Sequence, residues 1–141
     1  MIARILSGSI GLFILWNCLG WVIDPGTAAA GLAMPLLEGK GGNTQIGDFT
    51  SFLFTAGLFA CIAAYRAEHV WLYASISLIG SAALFRSLAV VVHASDPLTM
   101  SIILEIVTTA VLVLCVYLMK MPILIDPLCL RLLRTLQFLL P

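Results

Sequence analysis

Residues 70–119 read VWLYASISLIGSAALFRSLAVVVHASDPLTMSIILEIVTTAVLVLCVYLM, and this stretch decides the fold. Two apolar runs flank a short polar link at Ala94-Ser95-Asp96-Pro97. A bilayer core of about 30 Å takes about 20 apolar residues of helix, so residues 70–92 and 98–119 each read as a membrane span. The link is short enough to force them into antiparallel neighbours. Asp96 is placed to cap the second run, and Pro97 fits a first helical turn. Each run carries one group that is costly in hydrocarbon, Arg86 in the first and Glu105 in the second. Arg86 lies eight residues before Ala94 and Glu105 seven after Leu98, which at a helical rise of about 1.5 Å puts both about 10 to 12 Å below one surface. A pair at equal depth satisfies what an isolated charge leaves uncompensated, so an Arg86 to Glu105 salt bridge inside a bundle is expected.

Working outward, residues 46–65 form a further apolar run, joined to residue 70 only by Arg66-Ala67-Glu68-His69, so it is a second hairpin partner. Residues 5–23 form another, with Arg4 before it and Asp24-Pro25 after it. Ala28-Ala29-Ala30 would suit a signal peptidase, but the apolar run is long for a signal and reads as a span. Composition agrees. Of 141 residues 62% are hydrophobic and 10% charged, too few polar groups to cover a water-soluble domain. The expected fold is an all-α membrane protein: a four-transmembrane-helix bundle over residues 1–120 and a C-terminal amphipathic interfacial helix within residues 121–141.

Residues 27–37 suit a short helix that Pro35 ends or kinks, and residues 38–43, with Gly39-Lys40-Gly41-Gly42, suit a flexible turn. In the tail, Asp126 is placed as an N-cap with Pro127 at the first helical position. The helix over residues 127–140 would be about 21 Å long, too short to cross. With Arg131 and Arg134 close together on its wheel, it is expected to lie at the membrane surface, packing against a partner subunit being the alternative. Arg4, Arg66, Lys120, Arg131 and Arg134 fall on one side of a four-span arrangement and Lys40 alone on the other. That bias places both termini in the cytoplasm and residues 24–45 outside.

The outer half collects the remaining polarity. Asn17 is about 9 Å deep in the first span. Asp48, Ser51 and Thr55 make one descending stripe on the second, His93 shares a face with Arg86, and Thr108 and Thr109 lie one turn below Glu105. The candidate pocket is thus Asn17, Asp48, Ser51, Thr55, Arg86, His93, Glu105 and Thr109. Three readings stay open at this point: a buried network that fixes helix register, an outward pocket for an anionic headgroup, carboxylate or quinone oxygen, and a proton or ion path. Against the last, the inner half offers no polar exit.

Other features are bland. Ala56, Ala60 and Ala64, Ser77 and Ser81, and Ser7 and Gly11 are small residues four apart that allow close helix contact. Trp16, Trp21 and Trp71 stand where interfacial anchors are expected. Cys18, Cys61, Cys115 and Cys129 lack metal-ligand or haem-attachment spacing, and His69 and His93 are about 36 Å apart along one helix, too far to share a haem. No metal site, cofactor or catalytic residue is expected, and a net charge of +0 without a basic run gives no nucleic-acid surface.

In order of features the chain resembles a family of small bacterial four-helix membrane proteins that is classed as a domain of unknown function. The resemblance rests on the Gly47-Asp48 pair opening the second span, Arg86 late in the third followed by the acidic turn at Asp96, and Glu105 early in the fourth. It covers roughly residues 1–119. Pro97 stands where the pattern has glycine. The resemblance implies the bacterial inner membrane, the fold and the polar residues, but no reaction. The sequence favours a noncatalytic accessory or scaffold subunit of a larger membrane complex, with membrane lipids and other subunits as partners. The alternative is a binder of a lipid, quinone or other amphiphile in the outer pocket.

Overall fold

The computed structural model describes the backbone of residues 1–137 and the side chains of residues 1–121. Among these residues it is all-helical: α1 (Ile2–Ile23), α2 (Pro25–Gly31), α3 (Gly39–Arg66), a 3-10 turn (His69–Trp71), α4 (Leu72–His93) and α5 (Thr99–Gln137). Four of the helical segments are long and apolar enough to cross a membrane, Ile2–Ile23, Gly39–Arg66, His69–His93 and Thr99–Met121. This is a small, four-helix membrane-spanning protein.

The spans form a closed ring in which α1 packs on α3, α3 on α4, α4 on α5 and α5 back on α1. Because lipid is as apolar as leucine, small side chains and not hydropathy select the packed faces. Along α1 the buried residues are Ala3, Ser7, Gly11, Ile14, Cys18 and Trp21, steps of three or four that keep one seam on its neighbours. Opposite it, Ala56, Gly57, Ala60 and Ala63 are the buried face of α3. The two helices cross at Gly11 and Gly57: a Cβ on Gly57 would stand 2.9 Å from the Gly11 carbonyl oxygen, and one on Gly11 2.8 Å from that of Gly57. Elsewhere the lipid-facing surface is made of large apolar groups such as Leu12, Val22, Phe85, Val91 and Ile106.

Hydrogen bonds between helices fix the register of this packing. The Ser75 hydroxyl of α4 donates to the Ala56 carbonyl of α3 at 2.7 Å in the buried core. At the end of the bundle opposite α2, Arg4 donates from Nε to the Ala64 carbonyl at 2.8 Å and from Nη2 to that of Tyr65 at 3.3 Å. A cation there complements the C-terminal end of α3. Arg66 lies over Trp71 and Lys120 over Tyr73, so the cations of this end are each held against a neighbour.

Several local expectations are corrected. The Gly-Lys-Gly-Gly stretch is the first turn of α3 and not a loose turn. Gly39 takes φ +57, open to glycine without strain, and the Gln45 side chain accepts from the Leu37 amide at 2.9 Å and donates to the Pro35 carbonyl at 3.2 Å, anchoring the incoming chain. The short helix starts at Pro25 and ends before Pro35. Asp24 is its N-cap, accepting from the Thr27 amide at 3.1 Å. Asp96 and Pro97 both precede the last helix, which begins at Thr99, so neither caps it nor fills its first turn. Trp21 is no interfacial anchor: it is 3% exposed and stacked on Phe49 with ring centroids 4.5 Å apart. Apart from these corrections, a C-terminal interfacial helix distinct from the last span is not confirmed: the backbone of α5 continues through Asp126 and Pro127 to Gln137. The side chains of Cys129, Arg131 and Arg134 lie outside the described residues.

Candidate functional site

At the α2 end the ring is not filled. A cavity of about 620 Å³ lies there, walled by all four spans and by α2. Its walls are apolar and aromatic, with Phe13, Trp16, Trp21, Phe49 and Phe52 among them. Its polar groups are few, the pattern of a small-molecule site. Thr27, Ala28 and Gly31 of α2, with Leu32 just after it, roof it. Hydrogen bonding by Thr27, through its side chain and its amide, holds the Asp24 carboxyl at the rim below its ordinary value.

Arg86 of α4 and Glu105 of α5 meet on the cavity wall. The Arg86 Nε donates to Glu105 Oε1 at 3.0 Å, with the two side chains 28% and 17% exposed. Glu105 Oε2 is buried and accepts no hydrogen bond among the described residues. The pair is therefore half-satisfied. It borders an open space, with Glu105 Oε2 itself shut away from it.

Asn17 also lines the cavity, although its Nδ2 is committed to the Phe13 carbonyl at 2.8 Å, leaving its Oδ1 as the free end. Thr108 and Ser101 of α5 complete the polar lining.

The other candidate residues lie elsewhere. Asp48, Ser51 and Thr55 do form a stripe on α3, but the helix turns Phe49, Phe52 and Leu53 to the cavity. Asp48 and Ser51 are exposed, with the Ser51 hydroxyl bonded to the Asp48 carbonyl at 3.1 Å. The stripe was placed by its spacing alone, whereas the small residues Ala56, Gly57 and Ala60 decide which side of α3 faces inward. His93 is exposed at the end of α4, and Thr109 turns to α4 beside Gly80, its Oγ1 buried with no partner among the described residues. Sequence reasoning missed Ser101, Thr27 and the α2 roof. The small-residue spacing of Ala28 and Gly31 is the signal that could have found the roof.

No family model, curated protein or solved structure matches the chain. The resemblance to a bacterial family therefore rests on its quoted residues alone, and the site has to be read from its own chemistry. Among the described residues, no group of three or more His, Cys, Asp or Glu side chains could hold a metal ion.

Proposed function

We propose that this protein binds the head region of a membrane amphiphile in the cavity between its spans at the α2 end. One observation carries the reading: an ion pair with an unpartnered oxygen borders an aromatic-walled cavity of about 620 Å³ in place of a filled core. A half-satisfied polar pair in a membrane interior is costly if it serves packing alone. A head group lodged against the exposed side of the pair offsets part of that cost.

Gly20 gives the test. It lines the cavity, and a Cβ there meets nothing within 4 Å, so Gly20→Leu occupies the space without a clash at its root. Native mass spectrometry of protein purified from its own membranes should show retained lipid adducts in the wild type. Those adducts should be depleted in Gly20→Leu at unchanged thermal stability. An identical adduct pattern in both proteins would remove the reading.

A second reading, association with other membrane subunits, draws on the exposed Asp48 and Ser51 of α3, which turn away from this chain's own core. Under it, purification in mild detergent brings other subunits down in fixed ratio, and Asp48→Leu releases them. Recovery of the chain alone counts against it. The cation bias of the helix ends supports the cytoplasm for the Arg4 end.

A further inference from the structure

A second depression, of about 420 Å³, lies at the other end of the bundle, where α1 and α3 meet. Among the described residues Arg4 is the one charged side chain that lines it. We infer that this groove seats one acyl chain of an anionic phospholipid, with the phosphate of that lipid at Arg4, a site separate from the cavity at the α2 end. Small residues make the floor. Gly8, Cys61 and Ala64 are each half-buried, and a Cβ on Gly8 would stand 3.3 Å from that of Ala64, so the two helices run close there. Ile5, Leu12 and Tyr65 stand around that floor, 62%, 65% and 84% exposed. From Arg4 to Leu12 the helical rise adds up to about 12 Å, which carries the groove from the end of α1 into the acyl-chain layer.

The head-group end carries a cation that is positioned and not neutralised. Arg4 is exposed, yet its Nε and Nη2 donate to the Ala64 and Tyr65 carbonyls at 2.8 and 3.3 Å, which holds the guanidinium across both helices. A guanidinium has five N–H groups, so those two bonds leave three, on Nη1 and Nη2, in the fork geometry that suits phosphate oxygens. Among the described residues Arg4 is in no ion pair. Glu68, the acid of this end, accepts instead from the Trp71 indole at 2.8 Å. Arg66 and Lys120 lie over Trp71 and Tyr73, off the groove. Capping of α3 explains the two carbonyl bonds, but it does not require an apolar groove open to lipid beside them. An anionic lipid fits both parts, the phosphate on Arg4 and the chain on the small-residue floor. A cationic head group would meet Arg4 with no carboxylate on the lining to offset it.

Nanodiscs of equal parts dioleoyl phosphatidylcholine and dioleoyl phosphatidylglycerol, holding the full chain, provide the test, with retained lipids counted by native mass spectrometry. One surface cation favours an anionic lipid about fivefold, so the wild type should keep phosphatidylglycerol over phosphatidylcholine by about that ratio. Equal retention of the two overturns the site. Arg4→Gln should bring the ratio close to unity, while Arg66→Gln, which removes the same charge outside the groove, should leave most of it. An equal fall in both variants would assign the preference to diffuse surface charge and overturn the groove. If Arg4→Gln folds poorly, the wild-type ratio and its persistence in Arg66→Gln decide the matter. Excess inorganic phosphate should not displace the lipid, and loss of the preference in its presence overturns the acyl-chain seat. Gly20→Leu should spare these adducts. Their depletion in that variant would put them in the cavity at the α2 end, overturning this site and leaving the amphiphile reading in place.

Discussion

Arg86 and Glu105 meet, level with each other as counting from the Ala94 link expects, because two antiparallel helices joined by a short turn share one origin. What that count cannot supply is azimuth. Asp48 and Ser51 are as polar as Asn17, yet they face away from the cavity while Asn17 lines it, since helix rotation follows small-residue packing that spacing of polar groups does not report. The energetic weight of the pair is testable. Arg86→Ala leaves a carboxylate with no counter-charge in a membrane interior and should cost about 3 kcal/mol in a reversible denaturant titration in micelles. Replacing both members with apolar groups, Arg86→Met with Glu105→Leu, should recover most of that loss. A double variant as unstable as the single one would mean that the pair holds the fold by shape and not by mutual neutralisation.

Among the elements, the spans themselves were legible because length and hydropathy suffice to place a membrane helix. Their ends were not. Gly39 to Gly42 carry turn chemistry, but Gln45 folds back on the preceding strand of chain and lets the helix start there. The contact between α1 and α3 gives a sharp contrast between glycines. Gly57→Ala presses a Cβ to 2.8 Å from Leu15 Cγ and 2.9 Å from the Gly11 carbonyl, and overpacking of this kind should cost about 1 to 3 kcal/mol. Gly47→Ala meets nothing within 4 Å and should stabilise α3 by about 0.5 to 1 kcal/mol. The measurement is the midpoint shift of the same titration. α2 carries a pH signature. The Asp24 carboxyl is held below its ordinary 3.8 by Thr27, so its support for α2 is complete above that value and is lost as pH falls through the lowered one. Amide-exchange protection at Ala28 should therefore hold from neutral pH down to the ordinary 3.8 and fall below it in the wild type, and should show no such fall in Asp24→Asn.

For the whole molecule, one end of the bundle holds Arg4, Arg66 and Lys120, and the other holds Asp24, Glu38 and Asp96 with Lys40. The cation bias predicts that a reporter active only outside the cytoplasm reports when inserted at Ser95 and stays silent when inserted at Ala67. Swapped signals would invert the topology. The ring order was partly legible from short links, while the return of α5 to α1 depends on Ser7, Leu112 and Cys115 burying together, a match no local pattern announces. The mouth of the cavity completes this scale. Phe13 and Leu104 line the cavity and yet are 60% and 59% exposed, and Phe13 stands about 15 Å along α1 from its Ile23 end. Under the amphiphile-binding proposal, a guest would enter sideways from the acyl-chain layer without passing through water. Occupancy then answers to the guest's fraction among surrounding lipids, a two-dimensional quantity, and an aqueous dissociation constant has no meaning for it. A minor lipid present at one part in a hundred must outbid its neighbours about a hundredfold to fill half the sites, which corresponds to about 2.7 kcal/mol of preference.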